Sequence, residues 1–178
     1  QDLSNQIALI EKLVSFPTVS RDSNLELIQF IQQHLKSHDI DANILHSECG
    51  QKANLLATIG PNVDGGVVLS GHTDVVPIDG QDWKTDPFSV NQNSGRLYGR
   101  GTSDMKSFCA IALSLIPEMK KLKKPIHLAF SYDEEVGCLG TPGLIKLIQE
   151  NIRQPLGVIV GEPTEMNVVT AHKGITHF

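Results

Sequence analysis

Acidic residues and a histidine follow three apolar segments of the sequence, at the points where predicted strands end. The segments and the residues that follow them are 66–71 with His72 and Asp74, 125–132 with Asp133, Glu134 and Glu135, and 156–161 with Glu162. If these ends meet at one edge of a sheet, the carboxylates oppose one another's ionisation unless a cation neutralises them. Imidazole and carboxylate ligands without cysteine suit Zn²⁺ and, less tightly, Mn²⁺ or Co²⁺, and several carboxylates suit two ions. The pattern therefore predicts a site for two Zn²⁺ ions.

The spacing of these residues predicts separate tasks for them. Side chains two apart on an extended segment point the same way, so Asp74 can accept the ring N–H that His72 does not use for a metal. Glu134 and Glu135 are adjacent and therefore diverge, which leaves one for a metal and the other for proton transfer. Asp104 adds a further carboxylate where a long loop enters a helix.

Each of these residues also has an ordinary structural interpretation. A lone histidine at a strand end is often only hydrogen-bonded, and paired glutamates often lie in solvated loops. Asp104 stands where a helix N-cap is expected, and Glu162 precedes Pro163 in a plausible turn. The metal interpretation is favoured because independent solvated charges need not fall at three strand ends.

The pattern of apolar residues predicts an α/β fold. Two amphipathic helices are expected over 4–15 and 23–37, followed by strands at 41–46, 54–59 and 66–71. The turn-rich GPNVDGG suggests that the last two of these strands form a hairpin. Later elements are helices at 105–116 and 142–150, strands at 125–132 and 156–161, and a further strand at 167–171. Together they predict a three-layer αβα sandwich with a mixed, mostly parallel central sheet. Residues 73–103 show no clear period, and so long a loop is usually functional.

Composition excludes several classes of partner. The chain has 178 residues and a net charge of -5, with no strongly basic cluster, which disfavours nucleic acid. No apolar stretch approaches the roughly 18 residues of a membrane helix, and no signal peptide is apparent. Three scattered cysteines without a CxxC pair suit reduced thiols in a cytoplasmic protein. The sequence also lacks a phosphate-binding loop, an HExxH motif and a complete GxSxG elbow, since Met105 replaces the last glycine.

Four phrases resemble the dinuclear zinc amidohydrolases of the aminoacylase and carboxypeptidase G2 type. They are "SGHTDVVPIDGQDWKTDPF", "GRLYGRGTSDMKSF", "FSYDEEVGCLG" and "GEPTEMNVVTAHKG", and they occur in order between residues 70 and 174. Within that family, "HTDVVPIDGQDW" and "YDEEVGCLG" are closer to the deacetylase branch than to the desuccinylase branch. The resemblance covers essentially the whole chain and implies metal-assisted hydrolysis of a small N-acyl amino acid.

The resemblance also implies a role for each candidate residue. His72 and Glu162 would bind the first zinc, and Glu135 would bind the second. Asp104 would bridge both ions from a position before a cis peptide bond. Glu134 would be the general base, and Asp74 would orient His72. One small departure is Ser107, where the family usually has glycine.

The same resemblance implies that residues 1–178 are the N-terminal part of a catalytic domain. The family continues with a smaller lid and dimerisation domain, then with a return segment that carries a histidine ligand of the second zinc. Neither His172 nor His177 matches the context of that ligand. The chain alone is therefore expected to lack one metal ligand and to have little activity, and the full-length protein is expected to be a homodimer.

Three alternatives remain open at this level. The enzyme could be a succinyl-diaminopimelate desuccinylase or a broader aminoacylase or dipeptidase, since the metal motifs do not select the acyl group. It could be a metal-binding module without catalysis, although such a module has no need for Glu134 as a proton shuttle. An ordinary α/β domain with solvated acidic loops is the third alternative.

Overall fold

Two amphipathic segments open the chain, and each forms a helix that buries one apolar stripe. The computed structural model describes residues 3–171 and 174. The helices are α1 (Leu3–Val14), α2 (Leu25–Ser37), α3 (Lys106–Ser114), α4 (Ile116–Met119) and α5 (Thr141–Asn151). The strands are β1 (Ala42–His46), β2 (Ala53–Ile59), β3 (Val67–His72), β4 (Asn91–Asn93), β5 (Arg96–Tyr98), β6 (Ile126–Ser131) and β7 (Gly157–Val160).

Five of these strands form a mixed sheet in the order β1-β2-β6-β3-β7. The pairs β1–β2 and β2–β6 are antiparallel, whereas β3 is parallel to both β6 and β7. Four strands therefore run in one direction and only β2 runs against them. This arrangement confirms the predicted mixed, mostly parallel sheet.

Helices cover both faces of the sheet, because successive strand residues point to opposite sides. In β6, Leu128 and Phe130 face the larger core, which also contains the buried stripes of α1, α2 and α3. Ala129, between them, faces the opposite side and packs with Leu56 and with Leu144 of α5. The predicted three-layer αβα sandwich is thus confirmed.

The expected hairpin between residues 54–59 and 66–71 is wrong. Strand β6 lies between β2 and β3 and pairs with both. The centre of β6 is fully buried, with Leu128, Ala129 and Phe130 each 0% exposed, so it occupies the middle of the sheet rather than a more exposed position. The GPNVDGG turn therefore joins two strands that are not neighbours, and the antiparallel neighbour of β2 that adjoins it in sequence is β1.

Two further differences concern weakly patterned segments. Residues 167–171 form no strand, and Val168 and Val169 are exposed without a described strand to pair with. The loop 73–103 contains the short β4–β5 hairpin, which the lack of an apolar period had hidden. Its turn has positive φ at Ser94 and Gly95, as a type I′ turn requires.

Two composition-based expectations can be compared with the structure. Cys49, Cys109 and Cys138 are all free thiols. Among the described residues, no helix has the length and apolar character needed to cross a bilayer.

Phe130 provides a test of the central position of β6. Phe130→Ala should lower the free energy of unfolding by about 3–5 kcal/mol, because it leaves a cavity in a fully buried position. Urea denaturation followed by circular dichroism measures the change. The control Leu122→Ala removes a side chain that is 48% exposed and should stay within about 0.5 kcal/mol. Equal losses from the two variants would contradict this topology.

Candidate metal centre

The candidate residues follow three strands that are neighbours in the sheet. Because β6, β3 and β7 are parallel, their carboxyl ends lie on the same edge. His72 is the last residue of β3, the central strand of the three, and pairs in register with Ser131 of β6. Glu134 follows β6 after a turn, and Glu162 stands two residues beyond β7. The topology therefore gathers residues that are 90 positions apart in sequence.

The ring of His72 contacts carboxylates from two separate segments. Its Nε2 lies 3.0 Å from Oδ1 of Asp104 and 3.8 Å from Oε1 of Glu162. One ligand atom from each of these three residues lies within 4.8 Å of the others. Ligand atoms around one tetrahedral Zn²⁺ are roughly 3.4 Å apart, given bonds of about 2.1 Å, so these side chains fit a single ion with small adjustments.

The opposite ring nitrogen of His72 is held by the main chain. Nδ1 lies 2.9 Å from the carbonyl oxygen of Asp74 and 3.5 Å from its carboxylate Oδ1. A carbonyl only accepts hydrogen bonds, so Nδ1 carries a proton and Nε2 faces the acidic group. Asp74 therefore orients the ring mainly through its backbone, whereas the spacing had suggested the side chain.

The carboxylate of Asp74 has other donors. It accepts hydrogen bonds from the Ser20 hydroxyl at 2.6 Å and from the main-chain amides of Glu134 and Glu135 at 3.1 and 3.3 Å. Burial alone would raise the pKa of Asp74, but His72 and these donors outweigh burial and lower the pKa below its usual value. Asp74 is thus a buried anion that connects the end of β3 to the turn after β6.

Without a metal, His72 itself partly neutralises the acidic group. Burial would lower its pKa, but Asp74, Glu162 and Asp104 together raise the pKa of His72 to about 9. The metal-free ring is therefore an imidazolium at neutral pH, and a metal must displace its Nε2 proton.

Two glutamates at this edge are harder to ionise than usual. Burial, followed by the charges of Asp104 and Glu134, raises the pKa of Glu162 to about 6, although His72 partly opposes the shift. Burial and the charge of Asp104 likewise raise the pKa of Glu135. Burial is the largest cause of both pKa shifts, and the neighbouring carboxylates add to it in the direction that the sequence pattern predicted.

Glu134 and Glu135 take different positions. Oε2 of Glu134 lies 4.0 Å from His72 Nε2, so this carboxylate faces the same space as the three-residue group. Glu135 is outside that group, although the charges of Asp104 and His72 act on it. The preceding residue, Asp133, has a left-handed backbone (φ 55°) and forms a buried ion pair with Lys52 at 2.5 Å. This ion pair holds the turn that carries both glutamates.

Asp104 does not cap the helix that follows it. The N-cap residue of α3 is Met105, and no side chain caps this end. The peptide bond between Asp104 and Met105 is cis, as the resemblance predicts. The structural alternative for Asp104 is therefore not supported, and its carboxylate contacts His72 instead. His172 and His177 lie outside the described residues.

Sequence reasoning missed three residues that support this edge. Ser20 contacts Asp74, Lys52 contacts Asp133, and Lys106 is buried and donates to the carbonyl oxygen of Phe16 at 2.6 Å. Burial lowers the pKa of Lys106 to about 7. Ser20 and Lys52 lie in segments that looked like connections, and Lys106 lies in a predicted helix, so only the three-dimensional contacts reveal their roles.

Comparisons with known proteins show which family the chain resembles. Residues 68–175 match the model of the Peptidase family M20/M25/M40. The chain is 35% identical over 177 residues to acetylornithine deacetylase of Pasteurella multocida (strain Pm70). The aligned region covers 94% of this chain and 45% of that protein. The chain is also 35% identical over 176 residues to acetylornithine deacetylase of Buchnera aphidicola subsp. Schizaphis graminum (strain Sg), with the same coverage. The chain thus spans somewhat less than half the length of these curated relatives.

Solved structures share the fold at lower identity. An M20 family metallo-carboxypeptidase, Sso-CP2 of Sulfolobus solfataricus, matches with a TM-score of 0.75 and 23% identity over 88% of this chain and 37% of that chain. Human carnosine dipeptidase 1 matches with a TM-score of 0.69 and 22% identity over 83% of this chain and 36% of that chain. With a family model covering more than half of its length, this chain belongs to the Peptidase family M20/M25/M40, a family of hydrolases.

Proposed function

We propose that the chain is the metal-binding part of a zinc-dependent amidohydrolase that removes the acetyl group from N2-acetyl-L-ornithine, giving L-ornithine and acetate. The observation that carries this proposal is the convergence of His72, Asp104 and Glu162 next to the carboxylate of Glu134. The names of two relatives at 35% identity support the choice of substrate.

Two Zn²⁺ ions are proposed, with Co²⁺ or Mn²⁺ as substitutes. His72 and Glu162 would hold the first ion, Glu135 would hold the second, and Asp104 would bridge them. Bound there, the ions supply Lewis acidity that polarises the amide carbonyl and makes water acidic enough to react near neutral pH. The donor set fits this role because it contains imidazole and carboxylates and, among these residues, no thiolate.

The chain's own residues contribute proton transfer and orientation. His72, Asp104 and Glu162 are here called the metal group, and the carboxylate of Glu134 faces this group without belonging to it. This position suits a general base that takes a proton from water and returns it to the departing amine. Asp74 keeps the proton of His72 on Nδ1, so the lone pair of Nε2 is directed towards the metal.

We also propose that residues 1–178 are the N-terminal part of a catalytic domain that continues in polypeptide outside this chain. Strand β7 supports this proposal, because it is an edge strand whose Val158, Ile159 and Val160 are each more than half exposed. The continuation would supply a histidine for the second ion and a lid domain through which the full-length protein forms a homodimer. The free thiols are consistent with a cytoplasmic location.

Zinc affinity should depend on pH because His72 must lose its proton. The pKa of the metal-free ring is about 9, so each pH unit gained between about 6.5 and 8 should raise the apparent affinity about tenfold. Below about pH 6 the dependence should steepen, since Glu162 then also holds a proton. Isothermal titration of the 178-residue chain with Zn²⁺, in buffers of different ionisation enthalpy, measures the affinity and the protons released.

Two histidine variants control this titration. The 178-residue chain should bind Zn²⁺ weakly, and His72→Ala should abolish that binding. His46→Ala changes an exposed residue at the end of β1 and should leave binding intact. An affinity that does not change with pH, or an equal loss from both variants, would contradict the proposed site.

Glu134→Gln separates catalysis from metal binding. In the full-length protein this variant should lower kcat about 10²–10⁴-fold, because the amide cannot accept a proton. Its zinc affinity should stay within about threefold, since Glu134 is outside the metal group. Glu150→Gln, on the exposed part of α5, is the matched control. Unchanged turnover in Glu134→Gln would instead indicate a metal-binding module without catalysis.

A substrate panel tests the acyl specificity. The full-length protein should hydrolyse N2-acetyl-L-ornithine with a higher kcat/KM than N-succinyl-diaminopimelate, other N-acyl amino acids or dipeptides. The 178-residue chain alone should show little or no turnover, because a ligand of the second ion lies elsewhere. Faster hydrolysis of another substrate would reassign the specificity, and robust turnover by the chain alone would overturn the proposed division of the domain.

A further inference from the structure

The segment 16–20 between α1 and α2 runs alongside the residues that follow β3. Val19 forms a parallel bridge with Val75, and the amide of Ser20 donates to the carbonyl oxygen of Val75 at 3.1 Å. The Thr18 hydroxyl donates to the carbonyl oxygen of Thr73 at 2.5 Å. This segment, here called the N-terminal strip, therefore pairs with the chain that leaves β3 just after His72.

Ser20 connects the N-terminal strip to the anion at the centre of the site. Its hydroxyl donates to Oδ2 of Asp74 at 2.6 Å, and both residues are buried. This distance is the shortest among the hydrogen bonds to that carboxylate, since the two amide donors lie 3.1 and 3.3 Å away. Without the hydroxyl, Asp74 would have one fewer donor in a place that water does not reach.

Two lysines hold the ends of the N-terminal strip. Lys52 donates to the carbonyl oxygen of Ser20 and, through the same Nζ, to the carboxylate of Asp133. Lys106 donates to the carbonyl oxygen of Phe16 at the other end. Lys52 therefore ties Ser20 to the residue directly before Glu134, which gives Ser20 a fixed position relative to that turn.

We propose that Ser20 is a positioning residue for the metal centre: it fixes the carboxylate of Asp74. Through that carboxylate it positions the amides of Glu134 and Glu135 and, by the 3.5 Å approach of Oδ1 to Nδ1, it influences the ring of His72. The proposal deepens the proposed function and rests on it for its metal readout. The hydroxyl acts on the rotamer of Asp74, whose carboxylate accepts from the amides of Glu134 and Glu135 and lies near Nδ1 of His72. No described contact places Ser20 itself in the metal group.

The test compares two buried hydroxyls of the same strip. Ser20→Ala removes the donor to Asp74, whereas Thr18→Val removes a hydrogen bond to the main chain and leaves Asp74 untouched. Ser20→Ala should weaken Zn²⁺ binding by the 178-residue chain about tenfold, at the lower end of the range for groups that support metal ligands. Thr18→Val should stay within about threefold, and so should Ser20→Thr, which keeps a hydroxyl.

A second readout needs no metal. In ¹H–¹⁵N spectra of the metal-free chain, Ser20→Ala should shift the amides of Glu134 and Glu135, because their acceptor moves, and Thr18→Val should not. Lys52→Met gives an independent variant if Ser20→Ala does not fold, and it should weaken zinc binding in the same direction. In the full-length protein, Ser20→Ala should lower kcat more than it raises KM.

The outcomes distinguish this inference from the proposed function. Equal zinc affinities and unshifted glutamate amides in Ser20→Ala and Thr18→Val would overturn the role of Ser20 while the metal site remains. A wild-type chain that fails to bind Zn²⁺ would overturn the proposed function, and the amide shifts would then decide whether Ser20 positions Asp74.

Discussion

The buried carboxylate of Asp74 connects the parts of the structure that must cooperate. Its donors come from the segment between the first two helices and from the turn after β6, while its own carbonyl holds the ring of His72. A buried anion is costly unless several donors satisfy it, so the elements that supply them must stay together. The positions of His72 and of the turn that carries Glu134 and Glu135 therefore depend on this one group.

Around that anion the sheet edge concentrates negative charge. Burial and then repulsion between carboxylates raise the pKa values of Glu162 and Glu135. The raised pKa of His72 shows that the metal-free protein offsets this negative charge with a proton. A divalent ion bound at His72 would replace the single positive charge of that proton with two positive charges. Proton and metal thus compete for His72, which links metal occupancy to pH.

The site was predicted from the ends of strands, and two of those residues, His72 and Glu162, do lie in one group with Asp104. Their proximity has a physical reason, because parallel neighbouring strands bring their carboxyl ends to one edge. Strand order was harder to predict. The turn between β2 and β3 suggested a hairpin, yet β6, whose central residues are fully buried, lies between them. Local turn residues do not report which strand arrives later in the chain.

By itself the sequence determined the residue types, their order and the elements that carry them, because apolar periodicity and strand ends are local properties. Tertiary structure alone decided which groups touch. It placed Glu135 outside the group of His72, Asp104 and Glu162. It directed the hydrogen bond of His72 Nδ1 to a carbonyl oxygen rather than a carboxylate, and it brought Ser20 into contact with Asp74 across 54 positions. Such contacts depend on packing between distant segments, and no spacing within one segment encodes them.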